Sequence, residues 1–410
     1  MAAAGVIGLA EIEAAARLLT DVAWRTPVEE STTLSRLAGT RVLLKCENLQ
    51  RTGSFKLRGA YSRLWRLTPE QRARGVVAAS AGNHAQGVAF AAQRLGTPAL
   101  VYMPENVALP KLAATESYGA QVRLHGATIA EALTEAQREA ARSGRVFIAP
   151  FDHVDVITGQ ATIALEIIDQ VPDVGTIVVP TGGGGLLAGV AAAVAATGRD
   201  IDVVGVQAAG AAAFPGSLEA GGPVVLPAMT TMADGIAVPS PSELTLGIVR
   251  DTGTRVVTVT EEQIGQAILL LSERAKLVVE PAGAVGAALV MAGARPLRGT
   301  VVVILSGGNV DTLVLDRVLR HGLVSAGRYL QLQLRVPDQP GSLAALLAVL
   351  AGTASNVVSI HHDRTSSDLR VSEVLISVEL ETRGIEHCED VVDTLRAQGY
   401  GVEGQPVAPR

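Results

Sequence analysis

Nine short runs of mostly Val, Ile, Leu and Ala constrain this chain more than any other feature: 42–45, 75–79, 99–103, 121–124, 146–149, 176–180, 203–207, 255–259 and 301–305. Their brevity and β-branching suit strands, and their continuous apolar character suits strands buried on both faces. Segments with helical spacing separate most of them, among them 86–95, 128–143, 186–196, 261–276 and 283–292. Strands alternating with helices specify parallel sheets, because a parallel crossover needs a dozen or more residues and packs as a helix. Two series of such units predict two α/β subdomains facing each other across a ligand cleft.

Composition narrows the function classes. The chain is 48% hydrophobic but 3% aromatic, so its core is aliphatic and alanine-rich. A net charge of −6, without a lysine/arginine cluster, argues against nucleic acid as a partner. Cys46 and Cys388 lie far apart, offer no disulfide or metal spacing, and fit a reducing, cytoplasmic setting. The first residues lack the basic start of a signal peptide. The uncharged stretch 174–198 is interrupted by Pro180 and four glycines, so strand, loop and helix are expected there and no membrane span.

Past residue 328 the texture changes. Strands at 328–336, 356–361, 371–380 and 399–402 and helices at 343–352 and 385–398 give the order βαββαβ. Residues 328–410 carry seven arginines, no lysine and eleven carboxylates, so this small module holds −4 of the total −6. Residues 322–327 read as the linker to it.

Three loops and one lysine carry the chemistry. In Arg51-Thr52-Gly53-Ser54-Phe55-Lys56-Leu57-Arg58-Gly59, Ser54 reads as a helix cap and Lys56 as an amine at a helix start. Such an amine becomes a nucleophile or base once it is desolvated; otherwise it is an ordinary surface lysine. Thr181-Gly182-Gly183-Gly184-Gly185-Leu186 follows a strand and opens a helix, where converging N–H groups suit a phosphate. A tight turn is the plainer reading. A dinucleotide site is the competitor, because Gly183, Gly185 and Ala188 match its fingerprint, but Gln207 stands where the ribose-binding acid belongs. Ser80-Ala81-Gly82-Asn83-His84-Ala85-Gln86-Gly87 also joins a strand to a helix and suits a carboxylate, although His84 alone reads more readily as a structural histidine. Ser306-Gly307-Gly308-Asn309 ends the last strand of the second series. Adjacent His361 and His362 point to opposite faces of a strand and read as solvated.

Together with Glu280-Pro281-Ala282-Gly283, these motifs resemble the threonine ammonia-lyases of the fold-type II pyridoxal-phosphate enzymes, in order over roughly residues 20–320. The tail resembles an ACT domain. The resemblance implies a large cofactor-binding subdomain of 1–68 and 151–321, a small α/β subdomain of 69–150, and an ACT-like domain of 328–405. It implies that Lys56 holds pyridoxal 5'-phosphate covalently and moves the substrate's α-proton. Phe55 would line the cofactor, Asn83 meet its 3'-oxygen, Gly182, Gly183, Gly184, Gly185 and Leu186 cradle its phosphate, and Ser306 face its pyridine nitrogen. Ser80, Ala81, Gly82 and His84 would hold the substrate's carboxylate.

Two departures from the related serine racemases direct the expected chemistry. Ala81 stands where they carry an acid/base serine, which favours elimination over racemisation. Gln207, Ala211 and Ala213 supply no carboxylate where they bind a divalent cation, so no metal is expected. In the tail, Asp338, Gly341, Ser342 and Asn356 fall at positions that ACT domains use for amino-acid effectors, and a module that only pairs subunits fits equally. A homo-oligomer, dimer or tetramer, is expected, with an amino acid as substrate. The competing functions are a nicotinamide-dependent dehydrogenase, which lacks its acid at Gln207, and an amino-acid sensor with a relic catalytic half, in which the lysine loop would be damaged.

Overall fold

The computed structural model describes residues 7–293, 297–365 and 369–403. The expectations placed on residues 1–6 and 404–405 lie outside the described residues. The chain divides into two compact units, Met1–Leu315 and Asp316–Arg410.

The first unit contains two sheets. β1 (Val28–Glu30), β2 (Val42–Lys45), β7 (Val174–Pro180), β8 (Asp202–Ala208), β9 (Arg255–Val259) and β10 (Thr300–Ile304) form one, in the order β1-β2-β10-β7-β8-β9. β3 (Val76–Ala79), β4 (Ala99–Met103), β5 (Gln121–Leu124) and β6 (Val146–Phe147) form the other, in the order β5-β4-β3-β6. Every pairing is parallel except the edge pair β1–β2. β2, β3, β4 and β10 are buried at every residue, as strands covered on both faces must be. The strand at 42–45 joins the later strands in the larger sheet, and strands within 76–147 form the smaller one.

One pairing governs the site. β10, the last strand of the unit, lies beside β2, with Val301 opposite Val42 and Ile304 opposite Lys45. The loops that follow these strands therefore zip together. Leu305 N–H donates to Lys45 O (2.9 Å), Asn48 N–H to Leu305 O (2.9 Å), Phe55 N–H to Ser306 O (3.2 Å) and Gly308 N–H to Gly53 O (2.9 Å).

The second unit has the expected βαββαβ order: β11 (Tyr329–Pro337), helix Ser342–Gly352, β12 (Asn356–Asp363), β13 (Glu373–Glu381), helix Ile385–Ala397 and β14 (Gly401–Glu403). Its antiparallel sheet runs β12-β13-β11-β14. Alternate residues of β11 and β13, among them Leu330, Leu332, Leu334, Val374, Ile376 and Val378, pack with Leu346, Leu350 and Val391 as its core.

Two local expectations are corrected. Residues 322–325, expected as linker, form the last turn of helix Thr312–Ser325, which continues through Gly322 despite its roughly 1 kcal/mol helix penalty. The helix expected over 261–276 ends at Leu270, continues as one π-turn, Leu271–Ala275, and stops at Lys276 with φ of 59°.

Candidate active site

Lys56 begins helix Lys56–Trp65, but Ser54 does not cap it. Phe55 occupies the cap position with helical φ and ψ and no side-chain cap bond. Ser54 instead forms a backbone bridge with Gly307, and its hydroxyl is buried without a hydrogen-bond partner among the described residues. The loop zipper thus uses the Ser54 backbone where a free loop would have used its side chain.

The Lys56 ammonium donates to Pro150 O at 3.0 Å and lies 5.3 Å from the centre of the Phe55 ring. Burial pushes its pKa down to about 8, against the pull of the Glu280 carboxylate. The amine is therefore far closer to neutrality at physiological pH than a surface lysine.

Pro150 and Phe151 link this amine to the glycine loop. A Cβ on Gly183 would lie 2.4 Å from the Phe151 ring, and one on Gly185 2.8 Å from Phe151 Cβ. Gly184, with φ of 93°, caps helix Gly185–Thr197 in the left-handed region, and a Cβ there would meet Phe214 at 2.4 Å. Packing alone thus demands glycine here, as the plain-turn reading holds. The N–H groups of Gly185, Leu186 and Leu187 nevertheless have no partner inside the helix, because the first intrahelical donor is Ala188, to Gly184 O at 2.8 Å. An anion fits these N–H groups where side chains do not. Thr245 Oγ1 donates to Gly183 O (2.8 Å), and Gln207 braces the loop by accepting from Phe214 N–H (2.9 Å) and donating to Gly182 O (3.5 Å). Gln207 is thus a support for the loop.

The Ser80–His84 loop is arranged differently from expectation. Ser80 Oγ accepts from Gly82 N–H at 3.1 Å, so that donor is spent inside the loop. His84 is buried, and its Nε2 lies 2.9 Å from Ile148 O, an acceptor, so Nε2 carries the hydrogen. Burial and the Lys56 charge push its pKa down to about 3, against this hydrogen bond. His84 is a neutral structural ring tied to the strand end. Gly82 caps helix Asn83–Arg94, so the backbone N–H groups of Asn83, His84 and Ala85 are the donors left for a carboxylate. Ala81, a methyl group, stands between Ser80 and Gly82 in this partly buried loop.

Asn83 meets two residues that the sequence quoted in motifs without assigning roles. Its Nδ2 donates to Glu280 Oε1 (2.6 Å), and its Oδ1 accepts from Asn309 Nδ2 (2.8 Å). Burial raises the Glu280 carboxyl to about 7 with help from Asp234, while Asn83, Lys111 and Lys56 pull it down. Ser306 is buried just past β10, in the zipper that pairs Ser54 with Gly307. No local sequence signal joins Glu280 to Asn83; Glu280 caps helix Pro281–Met291 and is held there by its N–H bond to Gly307 O (3.1 Å).

Beneath Lys56 lies a buried ionic cluster that sequence reading missed. Arg58 donates to both oxygens of Glu47 (2.9 and 2.8 Å) and of Glu166 (2.6 and 3.1 Å). Lys45 donates to Glu166 (2.6 Å), Gln170 (2.9 Å) and Thr26 O (2.9 Å). Burial alone would raise Glu47, but Arg58, Lys45 and Thr26 hold it below the usual carboxylate range.

In the second unit the candidate effector residues do not converge. Asp338 is ion-paired with Arg364 at 2.9 Å, and Gly341, with φ of 92°, caps the helix that Ser342 opens. Asn356 pairs with Glu381 opposite Tyr329, whereas Pro337 pairs with Glu373. The β-strand rise puts Asn356 about 27 Å from the Asp338 end. His361 and His362 are exposed.

The pyridoxal-phosphate dependent enzyme family matches residues 19–307, which include every element of the first-unit site through Gly307. The L-threonine ammonia-lyase of Thermotoga maritima is 44% identical over 397 residues, 97% of this chain and 99% of that protein. Threonine deaminase isoform 2 from Solanum lycopersicum is 38% identical with a TM-score of 0.73, over 76% of this chain and 86% of its own. Maize serine racemase is 34% identical with a TM-score of 0.73, over 76% of this chain and 96% of its own.

Proposed function

The chain belongs to the pyridoxal-phosphate dependent enzymes, and we propose that within them it is a threonine ammonia-lyase, converting L-threonine to 2-oxobutanoate and ammonia. One observation carries this reading. The desolvated Lys56 amine bonds Pro150 O, whose neighbour Phe151 packs on the glycine loop, and it feels the charge of Glu280, the carboxylate that binds Asn83, among loops that follow parallel strands.

The residues fit pyridoxal phosphate. Lys56 offers an amine to its aldehyde, the N–H groups of residues 185–187 suit its phosphate, and Asn83 and Ser306 suit its ring oxygen and nitrogen. When bound, the cofactor supplies an electron sink for the substrate's α-carbon. Lys56 is the base that takes the α-proton, and its lowered pKa keeps enough neutral amine to do so. The first-turn N–H groups of Asn83, His84 and Ala85 hold the substrate carboxylate, with the helix dipole behind them. Neutral His84 is no proton donor to substrate, because its one hydrogen belongs to Ile148 O. Ala81 has no exchangeable proton, so the α-carbon is served from one side only and the hydroxyl is eliminated.

Protein loaded with pyridoxal phosphate is expected to release 2-oxobutanoate and ammonia in equal amounts from L-threonine. It is also expected to release pyruvate from L-serine, with negligible D-serine. No ammonia from threonine would sink the lyase reading; D-serine at a rate comparable to pyruvate would sink the role given to Ala81.

A pH dependence follows from Lys56. Only the neutral amine attacks an aldehyde, and below a pKa of about 8 its fraction falls with each pH unit. On mixing apoprotein with pyridoxal phosphate, the visible band is expected to develop about tenfold faster per pH unit up to about pH 8 and to level off above it. A rate independent of pH in this range would exclude Lys56 as the reacting amine.

No helix among the described residues is long and apolar enough to cross a membrane. A cytoplasmic homo-oligomer, dimer or tetramer, acting in threonine breakdown or at the start of isoleucine synthesis is the setting that fits this activity. The βαββαβ order supports an ACT-like role for the second unit, as a subunit-pairing module or as an effector module using Asp338, Gly341 and Ser342.

A further inference from the structure

The assignment of Asn83 as the partner of a ligand oxygen leaves open which end of its amide faces the ligand, and the surrounding hydrogen bonds answer this. Thr52 O is a backbone carbonyl and can only accept. The Asn309 side-chain atom 2.7 Å from it is therefore the nitrogen. The same nitrogen lies 2.8 Å from Asn83, which must then present its oxygen. Both hydrogens of the Asn309 amide are thereby used. What remains of the Asn83 amide is its nitrogen, which faces Glu280 Oε1 at 2.6 Å.

The backbone makes room for this arrangement. A Cβ on Gly53, whose φ is 69°, would lie 2.2 Å from Asn309 Oδ1. A Cβ on Gly307 would lie 2.2 Å from Glu280 Oε1 and 3.1 Å from Asn83 Nδ2. Glycines on either side thus clear space for the Asn309–Asn83–Glu280 chain. Neither Asn309 nor Glu280 is needed by the chemistry described above.

We propose that Asn309 and Glu280 are positioning residues that lock the Asn83 amide with its nitrogen, and not its oxygen, available to the ligand. Asn83 then has one hydrogen committed to Glu280 and one left to donate, so it selects a ligand oxygen that accepts, such as an ionised ring oxygen. The inference rests on the pyridoxal-phosphate reading of the site and deepens it.

The test reverses the chain. In Asn309→Asp the new carboxylate has no hydrogen for Asn83, so Asn83 turns its nitrogen to that carboxylate and its oxygen to Glu280, where two acceptors meet. In the double variant Asn309→Asp/Glu280→Gln, the new glutamine amide donates to the turned Asn83 oxygen, so the Asn83 contacts are satisfied again while Thr52 O still faces the carboxylate. Thermal melts, pyridoxal-phosphate titrations and the position of the visible band are measured for wild type and both variants. Asn309→Asp is expected to melt lower, to bind the cofactor at least about tenfold more weakly, and to show a displaced band. The double variant is expected to recover the part of the stability lost at Asn83 while the weak binding and the displaced band persist, and it carries the test if the single variant does not fold. Wild-type affinity and band position in Asn309→Asp would overturn the proposal. So would a double variant in which affinity returns together with stability, since that is the behaviour of a merely structural chain. A wild-type protein that takes up no pyridoxal phosphate would overturn the reading of the site, and this proposal with it.

Discussion

Lys56→Ala is expected to abolish the visible band formed with pyridoxal phosphate and to lower ammonia release from L-threonine by at least about a thousandfold. Two roles are lost together, the amine that holds the cofactor and the base that takes the α-proton. The fold should survive, because the side chain makes one polar contact, to Pro150 O, and its burial pushes the pKa down, so folding gains nothing from the charge. Its melting temperature is expected to match or slightly exceed that of the wild-type protein. A variant that keeps the visible band would show that another amine holds the cofactor.

The second large effect is expected at Arg58, two residues along the same helix. Arg58→Met leaves the Glu47 carboxylate buried without its main partner and deprives Glu166 of one of its two cations. Removing one member of a buried ion pair costs about 3–5 kcal/mol, or roughly 5–8 °C in melting temperature for a unit of 315 residues. Glu47→Gln added to Arg58→Met removes the stranded charge and should restore part of the loss. A melting temperature within about 2 °C of wild type for Arg58→Met would mean that the cluster is not a determinant of stability. The pH sign follows from Glu47, whose pKa lies below its ordinary value in the folded chain. Its stabilising contribution is present above the unfolded carboxylate pKa and is lost as pH falls through the lowered folded value. The wild-type protein should therefore lose stability in acid more steeply than the double variant.

The Arg58 cluster shows where sequence reading stops. Arg58 stands inside the lysine motif, yet nothing local shows that it faces Glu47 and Glu166 from two other elements. Desolvation of four charges is tolerated only because every donor of the Arg58 fork finds an acceptor, and that is a property of three packed segments. Ser54 fails for a related reason. Its residue type suits a helix cap, but the chain next to it is bound to Ser306 and Gly307, and the pairing overrides the local preference. Motif position groups Asn356 with Asp338, but strand register separates them to opposite ends of a sheet.

What the sequence determined by itself was everything with a short physical range. The aliphatic runs and their helical spacers specified buried parallel strands, because burial on both faces and period depend on residues a few positions apart. The four glycines after a strand specified a loop without side chains at a helix start, since no other residue accepts φ of 93° beside Phe214 at that cost. The amine at Lys56 and the amide at Asn83 were legible as reactive types in such loops. The tertiary structure alone decided how far Lys56 is desolvated, which end of Asn83 is free, and that Glu280 and Asn309 attend it. Those facts depend on β10 lying beside β2, a contact between residues about 260 positions apart. Burial, and with it the pKa of an amine, is set by what the fold brings near and not by what precedes it in the chain.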